Sequence, residues 1–165
     1  MNLTIQALAT ILSNDPLLSY AHASGYANAD VGELIELDRF PFFNVICAPG
    51  NEEYKKTDEF IFTQIERHIL PITIQYAVRF MAANYAVLGD GTNPGIAEFT
   101  KNIWTIIKKD RTLGRVVSGI VPGTPIIISP VKVVTNESAV FIEGREMTIQ
   151  FYRDEEATPA SITTT

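Results

Sequence analysis

"ILPITIQYAVRF", residues 69–80, is the stretch that decides the fold. After Pro71, the residues Ile72, Ile74, Tyr76, Val78 and Phe80 alternate with Thr73, Gln75, Ala77 and Arg79. A period of two is the signature of a half-buried β-strand. The alternation predicts a strand of about nine residues, on the order of 30 Å long at strand rise. The β signal reaches back to Phe60, with Phe60 and Phe62 on one face and Ile61, Thr63 and Ile65 on the other. A β region from Phe60 to Met81 is longer than a domain of this size needs. Such a strand projects beyond its own sheet, and projecting apolar strands need a partner. Phe60, Phe62, Ile65, Ile72, Ile74, Tyr76, Val78 and Phe80 are therefore the candidate subunit-interface residues. The expected contact is sheet augmentation or packing against a neighbour's helix.

Two helices and further strands are expected around this stretch. Ile5, Leu8, Ile11 and Leu12 recur at helical spacing over Asn2 to Ser13, and Asn14-Asp15-Pro16 is a stop signal. Ile96, Phe99, Ile103, Ile106 and Ile107 form a second stripe over Ile96 to Lys109. "LIELDRFPFFNVICAP" reads as two short β-like runs separated by Pro41, or with the second on a sheet edge. The charged residues 50–59 read as a loop or solvated hairpin tip, and "FMAANYAVL" has room for a helical turn. Pro125 to Thr135 and Ala139 to Arg153 read as a closing pair of strands, with a bulge at Gly144. Residues 14–36 suit helix, loop or ordered arm equally. The fold class expected is α+β: a mainly antiparallel sheet with two principal helices on one face and a long projecting strand or hairpin. The expected domain covers residues 1–153, and the polar tail 154–165 reads as disordered.

Composition narrows the function. The chain has 165 residues, 46% of them hydrophobic and 19% charged, which suits one domain. A net charge of −6 argues against general nucleic-acid binding, which needs clustered Lys and Arg. The single cysteine, Cys47, excludes a disulfide within the chain. No stretch reads as a signal peptide or a membrane span, so a soluble, non-secreted protein is expected.

Chemistry-bearing residues are sparse. Neither His22 nor His68 sits at zinc-ligand spacing. A triad of His22, Ser24 and Asp30 can be drawn, but triads are defined by geometry, and a surface histidine is the favoured reading. "GDGTNPG", residues 89–95, precedes a helix but lacks the P-loop and dinucleotide spacings. Glu52, Glu53, Asp58 and Glu59 flank Lys55 and Lys56 as a solvated charge run. Neither a catalytic residue, a metal site nor a cofactor is expected. Lys108, Lys109, Arg111 and Arg115 gather at the end of the second helix. All four are candidate partner contacts; the lysines suit the helix dipole, and Arg111 and Arg115 suit two roles equally, closing the helix electrostatically or holding a partner's carboxylates.

"IAEFTKNIWTIIKKDRTLGRVVSGI", residues 96–120, resembles the helix-to-turn segment of tail terminator proteins of long-tailed bacteriophages. In that family the helix ends in a charged cluster followed by a D-x-T-L-G-G-x-V-like turn. The matching turn runs from Asp110 through Thr112, Leu113 and Gly114 to Val116, with Arg115 where a second glycine is usual. "REMTIQFYRDE" looks like the family's last strand, and "FPFFNVICAP" and "ILPITIQYAVRF" are similar to its early and middle strands. The likeness spans about Leu3 to Arg153 and is specific around residues 99–117. Segments 14–36 and 47–59 are long for the family. The resemblance implies a virion structural protein without enzymatic activity. It implies a homo-oligomeric ring, commonly a hexamer, that caps the tail tube and stops its polymerisation. The implied partners are further copies of the chain, the tail tube protein and a head-completion or stopper protein. DNA would pass through the lumen without specific binding, and no membrane is involved. The implied location is the tail or neck of the virion, and the host cytoplasm during assembly. The alternatives are a head–tail adaptor or stopper, a tail tube protein, or a small hydrolase or ligand-binding domain.

Overall fold

The 69–80 stretch lies inside a single strand of the computed structural model, which describes residues 2–23, 33–35, 40–47, 53–60, 63–122, 127–134 and 140–156. Helix α1 spans Asn2–Asn14 and is followed by a short 3-10 turn, Pro16–Leu18. Strands β1 (His22–Ala23), β2 (Glu33–Ile35), β3 (Phe42–Cys47), β4 (Glu53–Phe60) and β5 (Thr63–Phe80) come next. Helices α2 (Ala83–Leu88) and α3 (Ile96–Lys109) precede β6 (Gly119–Ile120), β7 (Ile127–Val134) and β8 (Phe141–Glu156). The protein is α+β, and its sheet is mainly antiparallel. The eight described strands run in the order β1-β3-β5-β8-β7-β2, with β4 also on β5 and β6 also on β8. Only β1 with β3 and β2 with β7 pair in parallel.

The sheet is built on one long ribbon. β5 has 18 residues and β8 has 16, paired without a register break from Ile65↔Glu156 to Phe80↔Phe141. Pro71 lies within β5 opposite Gln150 and does not end it. The bulge predicted at Gly144 is absent. Gly144 pairs in register with Ala77, and this small, buried pair fits a close sheet position without an inserted residue. The one register shift in the β4–β5 pairing lies between Lys56 and Glu59. β8 runs to Glu156, past the domain boundary expected at Arg153. Arg67 holds the extension by donating Nε and Nη2 to the Asp154 carboxylate at 2.7 and 2.8 Å. Residues 157–165 of the expected tail lie outside the described residues.

The core lies on one sheet face. Leu8 and Leu12 from α1, and Phe99, Ile103, Ile106 and Ile107 from α3, pack over Ile72, Ile74, Tyr76, Met147 and Ile149. The apolar stripe of α3 is the one its spacing predicts. Tyr76 anchors the layer. Its ring meets Phe99 edge-on at 5.2 Å, and its hydroxyl lies 2.7 Å from Thr100 Oγ1, which itself donates to the Ile96 carbonyl. Burial raises the Tyr76 pKa above the phenol range, keeping the hydroxyl protonated as a donor.

The opposite sheet face has buried positions as well. Phe42, Asn44, Ile46, Thr73, Gln75 and Ala77 are all buried. Thr73 and Thr148, direct cross-strand partners, share a hydrogen bond of 2.9 Å. β4 runs along β5 from Glu53↔Ile69 to Phe60↔Thr63, a paired arm where a loop or hairpin tip was expected. The short runs on either side of Pro41 separate into β2, which joins β7, and β3, which joins β5.

Candidate interaction site

Most of the side chains expected at a subunit interface are committed inside the chain. Ile72, Ile74, Tyr76 and Val78 have no exposed surface and Phe80 is buried, all within the helix-covered core. They cannot reach a neighbour without unfolding the domain. Alternation predicts a half-buried strand, whereas the helices cover the apolar face and Thr73, Gln75 and Ala77 on the other face are buried as well. Phe60 and Ile65 belong to the β4–β5 arm, with backbones opposite Thr63 and Glu156 respectively. Phe62 lies outside the described residues.

The four cations at the end of α3 separate into two kinds. Lys109 Nζ donates to Asp15 Oδ2 at 2.9 Å, pinning the end of α3 to the exit of α1. Lys108 sits 5.3 Å from the Trp104 ring centroid. Arg111 and Arg115 are exposed, on a turn organised from within by Asp110. Asp110 Oδ1 accepts from the Thr112 hydroxyl (2.8 Å) and amide (3.1 Å), and Oδ2 accepts from the Gly114 amide (2.7 Å). The Thr112 hydroxyl first, and then the Gly114 and Thr112 amides, hold this carboxyl below the usual carboxylate range. Leu113, Gly114 and Arg115 follow with φ of 49°, 68° and 71°. Three left-handed residues in succession turn the chain sharply and drive Leu113 and Val117 into the core.

The same turn forms one wall of a groove of about 390 Å³. Leu113, Gly114 and Val116 face Leu3, Ala7 and Ile11 of α1 across it. Leu3 is 68% exposed. A second apolar surface lies at the other end of α3. Met81, Tyr85, Leu88 and Phe141 are exposed around α2, Leu88 by 76% and Met81 by 74%. Asp90 follows Leu88 closely. Its Oδ1 accepts from the Asn93 and Thr92 amides, at 2.6 and 2.9 Å. The Asn93 amide and then the Thr92 amide keep its carboxyl below the usual range. That arrangement disposes of a phosphate cradle in the 89–95 loop, because the loop's own carboxylate occupies its amides. The backbones of Val87 and Gly89 leave no room for a side chain at Gly95.

The histidines do not converge. His22 is exposed on β1 at the β3 edge. His68 lies in the arm, its Nε2 3.9 Å from Glu155 Oε2. Ser24 and Asp30 lie outside the described residues. Among the described residues no group of three or more His, Cys, Asp or Glu side chains is placed to hold a metal ion. No described helix is long and apolar enough to cross a membrane. Sequence reasoning missed both apolar surfaces. One signal for the second was present, a run from Phe80 to Gly89 that carries no charge. The groove had none, since α1 and the 110–116 turn meet only in the fold. No known family profile matches the chain, and no curated protein matches it at a significant level.

Proposed function

We infer that this protein is a virion structural component of the tail-terminator kind, working as a closed homo-oligomeric ring on the end of a phage tail tube. The observation that carries the reading is the Asp110 turn. The D-x-T-L-G pattern that suggested the family has a physical purpose here. Asp110 caps the amides, Thr112 closes the ring of hydrogen bonds, Leu113 anchors in the core, and Gly114 takes a left-handed conformation. The two unpartnered apolar surfaces give further support, since a ring subunit must present contacts that a monomer leaves open. The mechanism is steric: one ring face binds the last tube layer, and the other accepts no further tube ring. The tube protein, a head-completion protein and further copies of the chain are the proposed partners. DNA would pass through a lumen whose negative charge keeps it from sticking.

The mass of the purified protein in solution, alone and mixed with tail tubes, tests this. A closed ring of fixed size, or a monomer that forms one on tube ends, is the expected result. Open-ended filaments would identify a tube protein instead. A monomer indifferent to tubes would overturn the structural reading.

A further inference from the structure

The two apolar surfaces sit at opposite ends of one helix. The Leu88 surface precedes α3 through the 89–95 loop, and the groove is built from the turn that follows α3. A helix of 14 residues separates them by roughly 20 Å. One surface is a protrusion, with Leu88 and Met81 at its summit. The other is a shallow, open and mainly apolar groove between α1 and the 110–116 turn. Their charges are complementary too. The protrusion runs into the exposed carboxylate of Asp90, and the exposed Arg111 and Arg115 flank the groove on its turn, where the one acidic lining residue, Asp110, is already held by Thr112 and the Gly114 amide. Apart from Asp90, the segment from Phe80 to Gly95 has no charged residue to oppose entry into a mainly apolar groove.

We propose that the Leu88 protrusion of one copy seats in the α1–turn groove of the next, with Asp90 meeting Arg111 and Arg115. The contact joins two different patches, so it is heterologous. Each added copy leaves one protrusion and one groove open until the assembly closes on itself. A contact of two like patches would instead stop at a dimer. The proposal rests on the ring reading and names the contact that closes the ring. It also assigns a partner to the two arginines that the turn itself does not use.

Engineered cysteines test it directly, in a Cys47→Ser background. Leu88→Cys and Gln6→Cys place one thiol on the protrusion and one on the groove wall. The double variant is expected to oxidise to a ladder of covalent multimers that ends at the ring number. Either single variant is expected to stay uncrosslinked. Dimers from Leu88→Cys alone would overturn the proposal, and so would a double variant that stays uncrosslinked, or a protein that stays monomeric, both alone and in the presence of tail tubes. Leu88→Asp is expected to raise the concentration needed for assembly at least about ten-fold while leaving the melting temperature unchanged. Arg111→Glu with Arg115→Glu should act in the same direction, and added salt should weaken the wild-type contact. The two readings fail separately. Rings linked through residues 88 and 6 that ignore tail tubes would keep the contact and remove the terminator role. Tube capping by rings that survive Leu88→Asp would keep the role and remove the contact.

Discussion

Four residues, Asp110, Gly114, Arg115 and Tyr76, carry most of the local logic. Asp110 is the acceptor for two amides and a hydroxyl, as an N-cap aspartate is for a helix start. Asp110→Ala should therefore cost about 1–2 kcal/mol, read from chemical denaturation, and Asp110→Asn less. Gly114 has open space where a Cβ would stand, so the penalty for a side chain there is backbone conformation alone. Gly114→Val should cost at least about 1 kcal/mol for that reason. Arg115 already stands at φ 71°, and Arg115→Gly should leave stability unchanged or improve it, the relief of strain offsetting the extra freedom of the unfolded chain. This explains in physical terms why a second glycine suits the position. Tyr76→Phe removes one buried hydrogen bond without opening a cavity. It should cost about 1 kcal/mol, whereas Tyr76→Ala should cost about 3–5.

At the scale of elements, the β5–β8 ribbon divides into a helix-covered half and an arm. The arm is fastened by Arg67, which pairs with Asp154 and lies over the Tyr152 ring at 4.1 Å. Asp154→Ala should speed amide exchange in residues 63–69 while leaving 72–78 protected, since only the arm loses its fastening. Equal loosening of both stretches would show that arm and core open as one unit. Elements with strong periodicity were legible in the sequence: the stripes of α1 and α3, the alternation after Pro71, and the closing strands. β4 was not, because its charged residues speak for solvent and its pairing is decided by β5. The fate of the Ile72–Phe80 row was also hidden. Alternation tells which side chains share a face but not what covers that face. Gly144 reads as a bulge in isolation and as a close cross-strand fit only once Ala77 stands opposite. The chemistry of the 110–117 turn was legible as a helix stop with a reversing glycine. The left-handed Leu113 and Arg115 beside it were not.

At the scale of the whole molecule, charge sets the acid limit of stability. Asp15, Asp90 and Asp110 all have carboxyls held below the usual range, Asp15 by the Leu17 amide and then by Lys109. A carboxyl depressed in the folded state contributes stability that is fully present above its unfolded pKa, near 4, and is lost as pH falls through the folded value. The melting temperature should therefore be flat from neutral pH down to about 5 and fall below about 4. The Asp110→Asn variant should show a shallower acid slope. The ribbon has a further consequence, one of timing. Its facing residues are far apart in the sequence: Thr73 bonds Thr148 across 75 positions, and Arg67 bonds Asp154 across 87. Two helices must be synthesised before β8 exists to meet β5. Folding of such non-local pairings is slow, and here it cannot finish until β8 has left the ribosome. Helix α2, which carries the protrusion, packs on both strands of that ribbon, and α3, which leads into the groove wall, packs on β8. A nascent chain consequently has no finished surface to offer, and assembly is deferred to completed molecules.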